Sequence, residues 1–234
     1  MPKSDISTSP RDGTHIFDNF HANSGVADTT VGQLGWEMTT IANASTPSFV
    51  ASQNGIMRLT TQGTTGDGEA LTLHPDSVVL AGTNQEFWCR VRVPTLSGNT
   101  LAGNNFRIGF SASVAVTEPA VGVWVDSDAG VISFDVASTN GDISVAASGV
   151  NTLTSGTTMV INTFHNFHVM MDGTNTNGGP KRIRLFVDGQ LAGTINNALL
   201  GSAETMEYSI VHWNDSGDTL ELDIDYVEFW LPRN

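Results

Sequence analysis

The 234-residue sequence is poor in the residues that staple small folds and in those that coat long helices. It holds one cysteine, Cys89, so no intrachain disulfide can form. At 24.8 kDa the chain does not need one: a globule of this mass buries about 70% of its unfolded surface. Lys and Arg number only 10 against 24 Asp and Glu, a net charge of −14. That balance excludes nucleic acid and an anionic membrane as principal partners, because both would repel the surface. It leaves either an acidity that serves solubility or an acidic surface that meets a basic partner. No apolar run approaches ~18 residues, and the opening MPKSDISTSPRDGTH lacks the apolar core of a signal peptide, so the encoded form is expected to be the mature one, made in a cytoplasm. Also missing are a G-x-S-x-G elbow, a Walker loop and a G-x-G-x-x-G run opening a helix. Charged residues make up only 15% of the chain, whereas Gly counts 24. Such a composition favours short strands and turns over surface helices.

What is present reads as strand after strand. Residues 1–15 carry Pro2 and Pro10 and no periodicity, which marks an N-terminal arm, and 16–234 is expected to form one domain. GIMRLTT (55–61), EALTLH (69–74), EFWCRVRV (86–93), NFRIGFSA (105–112), VGVWVD (121–126) and GVISFDVA (130–137) follow at close spacing. After Asn140-Gly141, a hairpin signal, come DISVAA (142–147), HNFHVMMD (165–172), RIRLFVD (182–188), QLAGTI (190–195), EYSIVHW (207–213) and TLELDIDYVEFWL (219–231). One short helix is expected around Asn197–Ala203. About a dozen strands with turn punctuation predict an all-β, antiparallel two-sheet sandwich or barrel. In EFWCRVRV, Cys89 alternates with Phe87, Val91 and Val93 and is expected to be a buried, inert thiol.

The most specific stretch is RIRLFVDGQLAGTI (182–195). Asp188-Gly189 between two β-patterned runs suits a two-residue type I′ turn, which would pair Val187 with Gln190, Leu185 with Ala192 and Ile183 with Thr194. The run HNFHVMMDG, a polar loop and IRLFVDGQLAGT together resemble the late strands of the laminin-G-like and concanavalin A-like lectin/glucanase superfamily. The final DIDYVEFW resembles its closing strand. The opening IFDNFHANSG, then Trp36 and GIMRLTT, looks like the first strands of phage-encoded members. The resemblance implies a jelly-roll β-sandwich. It implies little about function, since that fold hosts hydrolases, lectins, adhesins and virion proteins.

ELDIDYVEFW (221–230) raises the question of catalysis. Retaining glycosidases need two carboxyl groups ~5–5.5 Å apart, and the glucanases of this superfamily resemble E-x-D-x-x-E on one interior strand. In an unbroken strand Glu221, Asp223 and Asp225 share one face, while Leu222, Ile224, Tyr226, Glu228 and Trp230 share the other. The second face is taken as the core and the acids as solvated or at an interface. No Gly or Pro signals a bulge that would bring Glu228 round to the acids. No catalytic residue is therefore assigned.

Other constellations are weaker. His165 and His168 fall on opposite strand faces and cannot clamp one metal ion; His74-Pro-Asp76 reads as a turn. No cofactor is assigned, with Ca2+ the one ion that the loop clusters Asp126/Asp128, Asp172/Asn175/Asn177 and Asn214/Asp215/Asp218 could hold, although Asx residues also favour turns on their own account. Trp88, Arg90 and Arg92 share one strand face, and Trp124 and Asp126 share another. If both faces line one sheet, they form a ligand groove or a protein contact. The resulting expectation is a non-catalytic virion structural protein, such as a capsid decoration or fibre-type component. Its partners would be other virion proteins of the capsid or tail and copies of itself, most simply as a trimer. The alternatives are a carbohydrate-binding module that takes glycans, and a glucanase-type hydrolase.

Overall fold

A computed structural model gives the architecture; it describes residues 13–20, 30–31, 36–42, 48–49, 55–73, 78–79, 84–95, 100–140, 159–196 and 198–232. Sixteen strands are described: β1 (Gly13–Asp18), β2 (Thr30–Val31), β3 (Trp36–Ile41), β4 (Ser48–Phe49), β5 (Met57–Thr60), β6 (Gly68–Leu73), β7 (Val78–Val79) and β8 (Gln85–Arg92), then β9 (Asn104–Ser111), β10 (Gly122–Asp128), β11 (Val131–Ala137), β12 (His165–Thr174), β13 (Pro180–Val187), β14 (Gln190–Asn196), β15 (Thr205–Asn214) and β16 (Glu221–Pro232). They form two eight-stranded sheets. Sheet A runs β14-β13-β12-β8-β16-β5-β4, with β1 also on β16; sheet B runs β11-β10-β9-β15-β6-β3-β2, with β7 also on β15. All strand pairs are antiparallel, as a jelly-roll sandwich requires.

The arm expected over 1–15 overlaps β1, whose Gly13 pairs with Pro232. Residues 1–12, the strand expected at 142–147, Gly141 of the expected Asn140-Gly141 turn, and His74-Pro-Asp76 lie outside the described residues. The helix expected around Asn197–Ala203 does not form over 198–203. There Gly201 bridges to Gly178, and Ala198 and Leu200 are buried while Leu199 is not.

The core lies between the sheets. Inward side chains include Phe87, Cys89 and Val91 of β8, Phe106, Ile108 and Phe110 of β9, and Phe167, Val169 and Met171 of β12. Aromatic rings bridge the sheets: Tyr208 of β15 stacks on Phe229 of β16 at 5.4 Å and meets Phe87 and Phe110 edge-on at 5.7 and 5.6 Å. Edge-to-face and offset pairs of this kind exceed simple area burial by about 0.5–1.5 kcal/mol each. As expected, Cys89 is fully buried, and burial pushes its thiol pKa up.

Two β-bulges set which side chains reach the core, and the alternation read along the sequence missed both. The Asp188-Gly189 turn has both residues at positive φ, 51° and 81°, as type I′ demands, and Val187 pairs with Gln190. The register then shifts between Leu185 and Phe186, so Leu185 faces Gly193 and Ile183 faces Ile195, not Ala192 and Thr194. The shift puts Ile195, at 0% exposure, into the core. In β16 the register against β8 shifts between Ile224 and Tyr226. Beyond it Val227 and Phe229 are buried, whereas Tyr226, Glu228 and Trp230 are only partly so. The expected core face of Tyr226, Glu228 and Trp230 is therefore corrected. An unbroken strand would have exposed Val227 and Phe229 and driven the Glu228 carboxylate into the core, a costly exchange.

Candidate functional site

The bulge in β16 turns Glu228 onto the same outer face of sheet A as Glu221 and Asp223. The carboxylates gathered there each have a basic partner, an arginine for Glu221, Asp223 and Asp225 and a histidine for Glu228. Asp223 is fully buried, with Oδ1 and Oδ2 accepting from Arg58 Nε and Nη2 at 2.6 and 3.0 Å, and Oδ2 also from Arg92 Nε at 2.8 Å. Glu221 lies 3.1 Å from Arg58, Asp225 accepts from Arg90 Nη1 at 2.6 Å, and Glu228 meets His15 Nε2 at 2.7 Å. The expectation that Asp223 is solvated or at an interface is corrected: two arginines desolvate it together with themselves. Burial raises the Glu221 pKa, with Arg58 opposing and Asp223 reinforcing.

The rest of the face belongs to aromatic rings and further arginines. Inward Phe87, Cys89 and Val91 force Trp88, Arg90 and Arg92 outward, as the sequence pattern predicts. Trp88 stacks on His168 of β12 at 4.3 Å and 13°, and His168 in turn lies 5.4 Å from Phe186 of β13. His168 Nε2 is 3.1 Å from Glu86. Because these side chains rise from adjacent strands with their faces against one another, they present ring edges outward. Phe164 lies under both Arg90 and Arg92, at 4.8 and 4.6 Å, and Tyr226 donates to Asn166 Oδ1 at 3.1 Å. On β13, Arg182 and Arg184 grip Asp172 at 2.8 and 2.6 Å. Burial alone would raise the Asp172 pKa, but these hydrogen bonds hold it below the usual range.

Trp124 and Asp126 do not join this face. They stand on the outer side of sheet B, beneath the segment 112–120 that folds back over the sheet. Trp124 is 1% exposed. Arg107 of β9 lies between Trp124 and Trp213, at 5.4 and 5.3 Å, and donates to the carbonyls of Ala115 and Thr117. It thereby pins the segment, whose Val114 and Val116 pack on Ala70, Val211 and Trp213. Glycine at 109 makes room: a Cβ there would collide with the Val123 carbonyl and the Trp124 backbone. Asp126, 3.8 Å from Arg107, has its pKa raised to about 7, first by burial, with Arg107 opposing and Asp135, Glu118 and Asp128 reinforcing. The single groove that would combine Trp88 with Trp124 is corrected to two separate outer surfaces.

His165 and His168 do point to opposite faces. His165 Nε2 accepts from the Val160 amide at 3.0 Å, so Nδ1 carries the proton it donates to Asp188 at 2.8 Å. The loop clusters considered for Ca2+ act as staples. Asn175 donates to the carbonyls of Pro180, Ala198 and Leu200, Asn214 binds Thr64 O and the Gly217 amide, and Asp215 accepts from Asn105. Among the described residues no group of three or more His, Cys, Asp or Glu side chains could hold a metal ion.

Three features escaped the sequence reading. Glu204 accepts from Ser138 Oγ, Thr139 N and Oγ1, and Gly201 N, and these bonds hold its pKa low although burial alone would raise it. It floors an open depression also lined by Asn140, Asn177, Ser202 and Thr205. Glu69 and His212, opposite one another on β6 and β15, are buried inside the sandwich. Burial raises the Glu69 pKa to about 8 and lowers that of His212 to about 3. Glu69 was legible: it shares the alternation of Leu71 in GEALTL, so it had to face inward.

The sequence matches no known family profile and no curated protein. Solved structures do resemble the fold. The carbohydrate recognition domain of Emp47p superposes with a TM-score of 0.63 at 11% identity, covering 97% of this chain and 100% of that one. A protein of unknown function from Shewanella oneidensis MR-1 gives 0.62 at 9% identity, covering 97% and 90%. The exoplasmic/lumenal domain of VIP36, in a Ca2+/Man-bound form, gives 0.56 at 14% identity, covering 90% and 88%. At these identities the likeness is one of fold: the chain is an antiparallel, two-sheet jelly-roll sandwich.

Proposed function

We propose that this sandwich is a non-catalytic docking subunit of a virion, of capsid-decorating or fibre type, made in a host cytoplasm and joined to other virion proteins through the outer face of sheet A. One observation carries the docking role: that face concentrates arginine beside tryptophan, tyrosine and phenylalanine, the residues in which protein contacts are enriched. Asp223 and Asp225 are engaged by arginines, which disfavours a pair free to cleave a glycosidic bond. The virion assignment rests on the sequence resemblance to phage-encoded sandwiches. Mass spectrometry and antibody labelling of purified particles encoding the gene should find the protein on them. Trp88→Ser and Arg90→Ser should lower its incorporation, and deletion of residues 1–12 should do so through the arm. Absence from the particles would refute the reading.

A second reading is glycan binding. It is favoured by the lectin-type neighbours and by the amide- and hydroxyl-lined depression around Glu204. Binding on a glycan array that is lost with Asn177→Ala or Ser202→Ala, while Trp88→Ala has no effect, would place the ligand there.

A further inference from the structure

We infer that the depression floored by Glu204 takes a cationic amino sugar, whose primary ammonium group is received by the Glu204 carboxylate and two asparagine carbonyl oxygens. The inference rests on reading that depression as a glycan site and names the class of glycan.

Three segments meet there: residues 138–140 after β11, the loop 175–179 between β12 and β13, and the stretch 199–205 that leads into β15. The Leu199 carbonyl ties them together, accepting from Ser138 Oγ at 3.0 Å, Asn140 Nδ2 at 3.3 Å and Asn177 Nδ2 at 3.1 Å. A carbonyl oxygen only accepts, so both amide nitrogens must face it, and this fixes the sense of each asparagine side chain. Each Oδ1 is thereby turned away from Leu199, an acceptor with no partner among the described residues. Both asparagines line the depression.

Glu204 adds a carboxylate whose donors are all neutral: Ser138 Oγ, Thr139 N and Oγ1, and Gly201 N. Hydrogen bonds of this kind hold the charge in place without cancelling it. Asp172, Asp223 and Asp225 differ, since each has an arginine. No lysine, arginine or histidine among the described residues pairs with Glu204, and none lines the depression. Ser138 has a single hydroxyl proton; when it turns to Leu199, Oε2 of Glu204 accepts only from Gly201 N and keeps an open lone pair.

The lining is therefore negative and rich in acceptors, on a chain whose net charge of −14 draws cations from a distance. A primary ammonium carries three donors and no acceptor, so it matches that lining. A carboxylated or sulfated sugar would be repelled, and a neutral hydroxyl would leave the charge unanswered. The hydroxyls of Ser202 and Thr205 are suited to ring hydroxyls, and Val121 and Ala203 to the C–H face of a ring. At about 610 Å³ the depression falls within the ~300–1,000 Å³ of small-molecule sites.

Isothermal titration calorimetry of the whole chain with a glucosamine trisaccharide and its N-acetylated counterpart tests this, because acetylation removes the charge and keeps the rings. At about pH 6, where the amine is protonated, the glucosamine form should bind about tenfold tighter or more, and the difference should shrink as salt rises. Glu204→Gln should abolish the preference, with far-UV circular dichroism to check folding. Should that variant not fold, Thr205→Lys sets a cation at the exposed rim without touching the hydrogen bonds of Glu204. It should weaken the glucosamine form about tenfold. Equal affinities, or a tighter acetylated form, would overturn the inference and leave the depression a site for neutral glycans. A preference for glucosamine that neither variant alters would also overturn it. If no saccharide binds in either form or on an array, the glycan reading falls as well.

Discussion

Asp223 and Asp225 lie two residues apart on β16, and each is bound by arginine, yet replacing them should have very different effects. Asp223 is fully buried between Arg58 and Arg92, whose side chains are 17% and 14% exposed. Asp223→Asn keeps the shape and removes the charge that holds two desolvated guanidinium groups. Removing one partner of a buried pair costs about 3–5 kcal/mol. Glu221 stays beside Arg58 at 3.1 Å and offsets part of that, leaving about 2–4 kcal/mol by the same rule. At about 2–4 °C per kcal/mol for a domain of this size, the melting temperature should fall by roughly 4–16 °C. Asp225→Asn breaks a pair whose side chains are 28% and 39% exposed, worth about 0–1 kcal/mol, and should shift melting by no more than about 4 °C. Differential scanning calorimetry of both variants at neutral pH decides the matter. If the two variants melt together, burial is not what distinguishes these aspartates, and the account of the outer face of sheet A fails.

Alkaline pH should destabilise the protein through Glu69. Its folded pKa of about 8 lies above the ordinary 4.5, so its contribution is complete below about pH 4.5 and is lost as pH rises through 8. Melting curves from pH 5 to 9 should therefore fall more steeply for wild type than for Glu69→Gln, and parallel curves would refute the assignment. Native Cys89 should resist a chromogenic disulfide reagent and react only after denaturation, since only the exposed thiolate attacks; rapid native labelling would contradict its burial. Gly109→Ala should lower the denaturation midpoint by the equivalent of about 1–3 kcal/mol, because the added methyl collides with the Val123 carbonyl. A neutral effect would mean that β9 and β10 are farther apart than described.

The sandwich was legible because alternation over five to eight residues, punctuated by Asp-Gly and Pro, leaves few other folds. Strict alternation was also where the reading went wrong. In β16 the apolar residues step Leu222, Ile224, Val227, Phe229, and in β14 they step Ala192, Ile195: the three-residue stride is the mark of a bulge, and it needs no glycine or proline. Following the fatty residues instead of the parity would have moved Glu228 to the acids' face. The separation of Trp88 from Trp124 was not legible. Both strands show the same pattern, and the sheet each joins depends on partners far along the chain: β16 and β12 for β8, but β9 and β11 for β10. Nor did the pattern distinguish Asp223 from Asp225, since their difference comes from Arg58, 165 residues away from Asp223.

The position of β16 has a kinetic consequence. It occupies the middle of sheet A, with β8 along one edge and β5 and β1 sharing the other. During synthesis, three strands made earlier must therefore keep their ladder edges unpaired until residues 221–232 emerge. Such long waits slow β-rich chains to the order of milliseconds to seconds and leave sticky edges open to neighbouring nascent chains.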